Sequence, residues 1–272
     1  MLIPVMRLRI AHSTVRRYDP PAAGVIQVLR VKPRNHEGQS VIRWRIEVSA
    51  DVKLAAREDA FGNLTHVFTA DGPFDTLSVD VDGEVETENT DGVVRGAVER
   101  FPPPLFLRDT ALTQADAAIC KLAQEIRGAS GGKPLAELHA ILDRLHEEMA
   151  RGEAPSPQPA NAAEAYARKS GTAADLAHVF IGAAHSLGIP ARYVAGYLGA
   201  GGSVGADGAH AWAEAFVPDL GWIGFDPANG ACPNEAYVRV AIGLDALGAA
   251  PVRGTRYGSA EETLAVAIKI DQ

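Results

Sequence analysis

Three consecutive prolines, Pro102 to Pro104, divide this chain into two stretches whose hydrophobic residues repeat with different periods. Before them, Met6, Leu8 and Ile10 alternate with Arg7 and Arg9. Ile42, Trp44, Ile46 and Val48 alternate with Arg43, Arg45 and Glu47, and Leu77, Val79 and Val81 repeat the pattern. A period of two belongs to half-buried strands, because successive side chains point to opposite faces of a sheet. Asp19-Pro20-Pro21, Asn35-His36-Glu37-Gly38, Phe61-Gly62-Asn63 and Asp82-Gly83 read as turns. Residues 1–100 are therefore expected to form a compact antiparallel β domain of several short strands, and the prolines a stiff extended connector.

Beyond the connector, apolar residues recur every three or four positions. Thr113 with Asp116 resembles a capping box ahead of a helix with the stripe Ala118, Ile119, Leu122, Ala123 and Ile126, stopping at Gly128. A second helix follows Pro134, burying Leu135, Leu138, Leu142, Leu145 and Met149. Residues 152–160 read as a loop. A third helix spans about 173–187 and ends at Gly188-Ile189-Pro190. Strands follow near 193–195, 210–217, 222–226, 237–242 and 263–270. Helices first and strands after make residues 105–272 an α+β domain.

The chain has 272 residues, 47% of them apolar, enough for a core without staples. Cys120 and Cys232 cannot make a disulfide framework or a cysteine zinc site, which points to a reducing compartment and a cytoplasmic location. With 26 basic residues against 34 acidic ones the net charge is −8, so nucleic acid is not an expected partner. Arg7 and Arg9 interrupt the N-terminal apolar stretch, unlike a signal peptide, and Met6 is an alternative start. No apolar run approaches the roughly 20 residues of a membrane-spanning helix, so no membrane association is expected.

The chemistry is concentrated in three segments, 169–197, 209–230 and 237–243. They contain Gly171-Thr172-Ala173-Ala174-Asp175-Leu176-Ala177-His178, His210-Ala211-Trp212, and Gly224-Phe225-Asp226-Pro227-Ala228-Asn229-Gly230. In this order and spacing they resemble the transglutaminase-like superfamily, whose core is a papain-like cysteine-protease fold. The first half is similar to the β-rich N-terminal region of bacterial transglutaminase-like proteins. The matching residues are the run from Ile10 through His12 and Thr14 to Tyr18, Leu29-Arg30 to Pro33-Arg34, Gly38-Gln39, and Asp59 with Phe61-Gly62-Asn63.

On this resemblance His210 is the catalytic imidazole, Asp226 its orienting carboxylate, and Ala173 the position where the family's G-V-C-Q-D-F-A-H motif carries its nucleophilic cysteine. Asp175, His178, Trp212 and Thr172 line or support the site. The resemblance implies no cofactor, no metal, and a peptide or protein substrate as partner. A helix N-terminus and a neighbouring imidazolium favour thiolate over a thiol of ordinary pKa near 8.5, and backbone N–H groups at the helix start can hold an oxyanion. Ala173 keeps the amide and removes the sulfur, so acyl-enzyme chemistry cannot pass through it.

Ala174 also departs from the family's glutamine, which favours a natural loss and an impaired relative with a retained His–Asp cleft. The alternatives are an active cysteine peptidase or transglutaminase whose native residue at 173 is cysteine, and a non-enzymatic interaction module built on the β-rich half. Neither Cys232, six residues past Asp226, nor Cys120 occupies the helix start, and Thr172 lacks a strong local base. A metal held by His178, His210, Asp175 and Asp226 is chemically possible. The simpler expectation is that Asp175 meets the helix N-terminus, His178 makes a buried hydrogen bond, and His185 faces solvent. Trp212 shares the His210 face of its strand, and Trp222 packs. Gly196, Gly199, Gly201, Gly202, Gly205 and Gly208 read as a flap beside the cleft.

Overall fold

The computed structural model describes residues 5–152, 160–199, 209–258 and 261–272. Its first sheet is built on two long strands, β1 (Val5–Lys32) and β4 (Leu64–Glu88), paired antiparallel from Val5↔Glu88 to Lys32↔Leu64. β2 (Gln39–Val48) and β3 (Ala55–Glu58) pair with β4. The alternation places Leu8, Ile10, Leu77, Val79 and Val81 in the core.

Two of the expected turns lie inside strands. At Asp19-Pro20-Pro21 the register shifts between Arg17 and Ala22 and the strand continues, the irregularity accommodating residues without N–H donors. Gly83 pairs with Trp44, whose ring occupies the space of a side chain: a Cβ on Gly83 would lie 2.1 Å from Trp44 Cε3. Glycine here permits a close approach rather than a reversal. A register shift between Val41 and Arg43 turns Ile42 outward, leaving it 49% exposed. Gly38 and Gly62, with positive φ of 84° and 86°, do sit in turns.

Pro103–Leu107 forms a 3₁₀ turn that buries Phe106, so the connector is extended only at Pro102. α1 (Ala117–Ser130) is capped by Asp116, whose carboxylate accepts from the N–H groups of Ala118 and Ile119 at 3.0 and 2.9 Å. Thr113 instead accepts from Thr110 N–H, Ala118 is exposed, and the helix runs past Gly128 to a left-handed cap at Gly131. α2 (Pro134–Glu148) buries Leu138, Ile141, Leu142 and Leu145. A short parallel pair, β6 (Ala150–Arg151) with β7 (Ser170–Gly171), flanks α3 (Ala162–Arg168). α4 (Ala173–Ser186) is the central helix, buried from Asp175 through Ala184.

The second sheet is antiparallel. β8 (Ala191–Leu198) and β9 (Ala209–Val217) lie at its centre, with β11 (Tyr237–Gly243) beside β8, β10 (Gly221–Phe225) beside β9, and β5 (Val93–Val94) beyond β10. Its two faces are chemically distinct. Ala211, Ala213 and Ala215 pack in one core with Ala177, Phe180 and Ala184 of α4, their small side chains letting the helix approach closely. Trp212 belongs to a separate core with Phe106, Val194, Trp222 and Tyr237.

β12 (Val252–Tyr257) and β13 (Glu261–Asp271) differ from the division drawn at 105–272. They leave the second sheet and pair with β1 in the first, Gly24↔Tyr257 to Leu29↔Val252 and Arg9↔Asp271 to Asp19↔Glu261. The free edge of β1 supplies their hydrogen-bond partners, a long-range pairing that local periodicity does not encode. No helix among the described residues is long and apolar enough to cross a membrane.

Candidate active site

The start of α4 is built by its own sequence. Thr172 is the N-cap: its backbone N–H and its hydroxyl both donate to Asp175 Oδ2 at 2.9 Å, and the hydroxyl accepts from Asp175 N–H at 3.3 Å. This reciprocal box satisfies donors that a helix start otherwise leaves open. Asp175 Oδ1 also accepts from Ala160 N–H at 2.9 Å, tying the preceding segment down. Gly171 is required by closeness, since a Cβ there would lie 2.7 Å from Asp175 Cβ. Asp175 thus meets the helix N-terminus, and the Thr172 hydroxyl is committed to the cap. Ala173 is the first residue of the helix, partly buried against the main core.

His210 and Asp226 come together from the first residues of β9 and the end of β10. His210 Nε2 donates to Asp226 Oδ2 at 2.5 Å, and both side chains are essentially buried. The same oxygen accepts from Tyr237 Oη at 2.7 Å and Asn229 Nδ2 at 2.6 Å, while Oδ1 accepts from Ala228 N–H at 3.0 Å. Burial pushes the Asp226 carboxyl up, but the hydrogen bonds and charge of His210, with Tyr237 and Asn229, outweigh it and hold the carboxyl below its ordinary range. Burial beside Asp226 also pushes the Tyr237 phenol far up, keeping it a neutral donor. The His210 ring stacks on Trp212 at 6.2 Å and 27°, and its buried Nδ1 has no hydrogen-bond partner among the described residues.

From the helix start the chain reaches His210 through α4 and then β8. α4 rises over about 20 Å along its 14 residues. After the turn at Gly188, β8 runs back about 17 Å from Ala191 to Gly196. Gly196 is paired with His210. A Cβ on Gly196 would meet Trp212 Cη2 at 2.6 Å, so this glycine seats the tryptophan that backs the imidazole. Tyr237 and Asn229 were not singled out from the sequence. Asn229 lies in the Gly224–Gly230 motif and Tyr237 opens the 237–243 segment, but neither segment by itself shows that the two side chains meet at Asp226.

The remaining sequence candidates are placed elsewhere. His178 is fully buried and its Nε2 accepts from Ala246 N–H at 3.1 Å, which occupies the lone pair a metal would need. Among the described residues no group of three His, Cys, Asp or Glu side chains could hold a metal ion. His185 does not face solvent: its side chain is 6% exposed, 2.7 Å from Asp109 and 3.2 Å from Ala191 O. Trp222 packs edge-on against Phe106 at 5.1 Å with the Arg192 guanidinium 3.8 Å above it. Cys120 Sγ lies 3.5 Å from Ser186 Oγ. Cys232 Sγ lies 3.9 Å from His139 Nε2, and burial together with Asp91 and Asp143 pushes its thiol up, the reverse of nucleophile activation. Of the expected flap, Gly201, Gly202, Gly205 and Gly208 lie outside the described residues.

The signature residues of the first half reach the second sheet. His12 bridges the Tyr197 hydroxyl and Thr14 at 2.9 Å each, and burial pushes its imidazole down to about 4. Gln39 donates to Arg239 O and accepts from Arg239 N–H, at 2.9 and 2.8 Å. Asn63, held by Asp59, makes the same two-way pairing with Ile242 at 2.8 Å in each direction. Both amides act as surrogate strand partners for β11, the strand that delivers Tyr237 to Asp226. Four residues along from His210, Glu214 is fully buried between Arg192 and Arg239, and Arg192 extends to Glu99. The arginine charges outweigh burial and bring the Glu214 carboxyl down to about 2.

Residues 8–86 match the bacterial transglutaminase-like N-terminal region, and residues 121–227 match the transglutaminase-like superfamily. Uncharacterized protein ML0607 of Mycobacterium leprae is 26% identical over 279 residues, 97% of this chain and 98% of that protein. Protein-glutamine gamma-glutamyltransferase of Pseudomonas aeruginosa is 33% identical over 152 residues, 50% of this chain and 22% of that protein. A crystal structure described as that of a candidate cysteine protease from Cytophaga hutchinsonii shares the fold, with a TM-score of 0.75 at 20% identity over 98% of this chain and 91% of that one. The chain is thus a member of the transglutaminase-like superfamily, a papain-like α+β core preceded by a bacterial transglutaminase-like N-terminal region.

Proposed function

We propose that this protein is a transglutaminase-like pseudoenzyme that binds a peptide or acyl substrate beside the start of α4 without forming an acyl-enzyme. The reading is carried by a contrast between two of the chain's motifs. His210, Asp226, Asn229 and Tyr237 form a complete buried network, and the capped helix start is intact, yet the first helical residue is Ala173. Loss of a nucleophile elsewhere costs on the order of 10⁶ in turnover, about 8 kcal/mol of transition-state stabilisation. The retained groups suit binding, since helix-start amides attract a carbonyl or carboxylate oxygen.

The test assays the wild-type chain for amide hydrolysis and for glutamine–amine transfer, and measures glutamine-peptide binding by calorimetry. The expected outcome is no turnover above buffer, with binding that weakens in His210→Ala. Ala173→Cys separates natural loss from a cysteine enzyme whose native residue at 173 is cysteine. Full turnover by that variant overturns the pseudoenzyme reading, whereas binding without turnover supports it.

A further inference from the structure

β12 and β13 lie end to end along one side of β1, whose other side carries β4. Among the described residues neither has a partner on its outer side. β13 pairs with β1 over eleven residues without a register shift and contains no proline, so its outer N–H and C=O groups form a regular template for another strand. Leu264 and Val266 are 56% and 37% exposed on the face that continues into Ile268 and Ile270, which pack against the main core. Nothing on this edge has the bulge or proline that usually blocks pairing.

We infer that β13 joins two copies of this chain as an antiparallel strand pair, with the two-fold axis perpendicular to the sheet at Ala265. Such an axis keeps each sheet face continuous across the junction, so the residue numbers of facing positions add to an even total. Centred on Ala265, Glu261 of each copy faces Lys269 of the other, and Leu264 faces Val266. Centred on Val266, Glu261 would face Asp271, a like-charge pair that destabilises a ladder. Centred on Leu264, Glu261 would face Ala267 and gain nothing. Charge therefore selects one register. Glu262 is held by Arg16 and Arg256 of its own chain, and the exposed Lys269–Asp271 pair exchanges at little cost.

The test uses the full chain with Cys120 and Cys232 changed to serine. Ala265→Cys faces itself across the axis at about 4.5–5.5 Å between Cβ atoms and is expected to form a disulfide-linked dimer under mild oxidation. Val266→Cys is expected to stay monomeric on a non-reducing gel; cross-linking there instead overturns the register. In sedimentation experiments on the unmodified chain, a concentration-dependent dimer is expected, and Ala265→Asp abolishes it with an unchanged circular dichroism spectrum. Glu261→Lys raises the dimer Kd about tenfold, from two exposed charge pairs turned repulsive, and adding Lys269→Glu restores it. A chain that is monomeric at all concentrations, or a dimer indifferent to these variants, overturns the inference.

Discussion

Glu214 and His210 lie four residues apart on one face of β9, both buried, and differ in how completely their polar atoms are hydrogen-bonded. Every valence around Glu214 is filled: Arg192 and Arg239 grip both oxygens, and the remaining Arg192 donors reach Glu99. Among the described residues, His210 Nε2 is engaged with Asp226 while its Nδ1 is buried without a partner. Buried polar groups in folded proteins are overwhelmingly satisfied, because an unmade bond costs about 1–3 kcal/mol. His178 Nδ1, also buried, is likewise without a partner among the described residues, so what sets His210 apart is its bond to Asp226 in the family motif and not the vacancy alone. The open position is oriented rather than neglected, since Asp226, Asn229, Tyr237 and Trp212 fix the ring from the other sides.

The largest effect should come from Glu214→Gln. It strands Arg192 and Arg239 beside a neutral amide, and urea denaturation should show a loss of about 3–5 kcal/mol. Asp226→Ala removes one acceptor from three side-chain donors, and the same measurement should register about 2–3 kcal/mol. An equal loss at His210→Ala would erase the contrast, because that ring has a single engaged nitrogen and should cost about half as much. Asn63→Ala tests whether β11 is held from outside: about 1–2 kcal/mol of stability should be lost, with a shifted Tyr237 side-chain NMR signal as the local readout.

The contrast also has a pH dependence. The folded Glu214 carboxyl lies at about 2 and the unfolded one near 4.5, so its contribution is complete above pH 4.5 and is lost as pH falls toward 2. His12, lowered to about 4 from 6.5, acts in the same direction at a higher window: its contribution is full above pH 6.5 and declines down to pH 4. Urea midpoints across these windows should flatten selectively in Glu214→Gln and in His12→Phe.

How far each element could be read locally follows from where its stabilising contacts lie. The helix start was legible because a cap is settled within four residues, Thr172 to Asp175. α2 was legible from Pro134 and its apolar stripe. Asp82-Gly83 misled because the same dipeptide serves a turn or a close approach, and only the Trp44 ring packed on Gly83 distinguishes them. The cap of α1 moved from Thr113 to Asp116 because Thr110 claimed the threonine hydroxyl. β12 went unread because residues 252–257 have almost no buried face, and their pairing is with residues 24–29 at the other end of the chain.

Read alone, the amino-acid sequence settled what depends on near neighbours. That includes the change of period at Pro102–Pro104, the order of the motifs around residues 173, 210 and 226, and the alanine at the first position of α4. Tertiary structure alone decided which groups converge: Tyr237 on Asp226, Gln39 and Asn63 on β11, Arg192 and Arg239 around Glu214, and the return of the last strands to β1. The reason is physical. Caps and hydrophobic periods are satisfied within a few residues, whereas a buried carboxylate or an open strand edge draws partners from wherever the chain passes, and sequence distance does not restrict that choice.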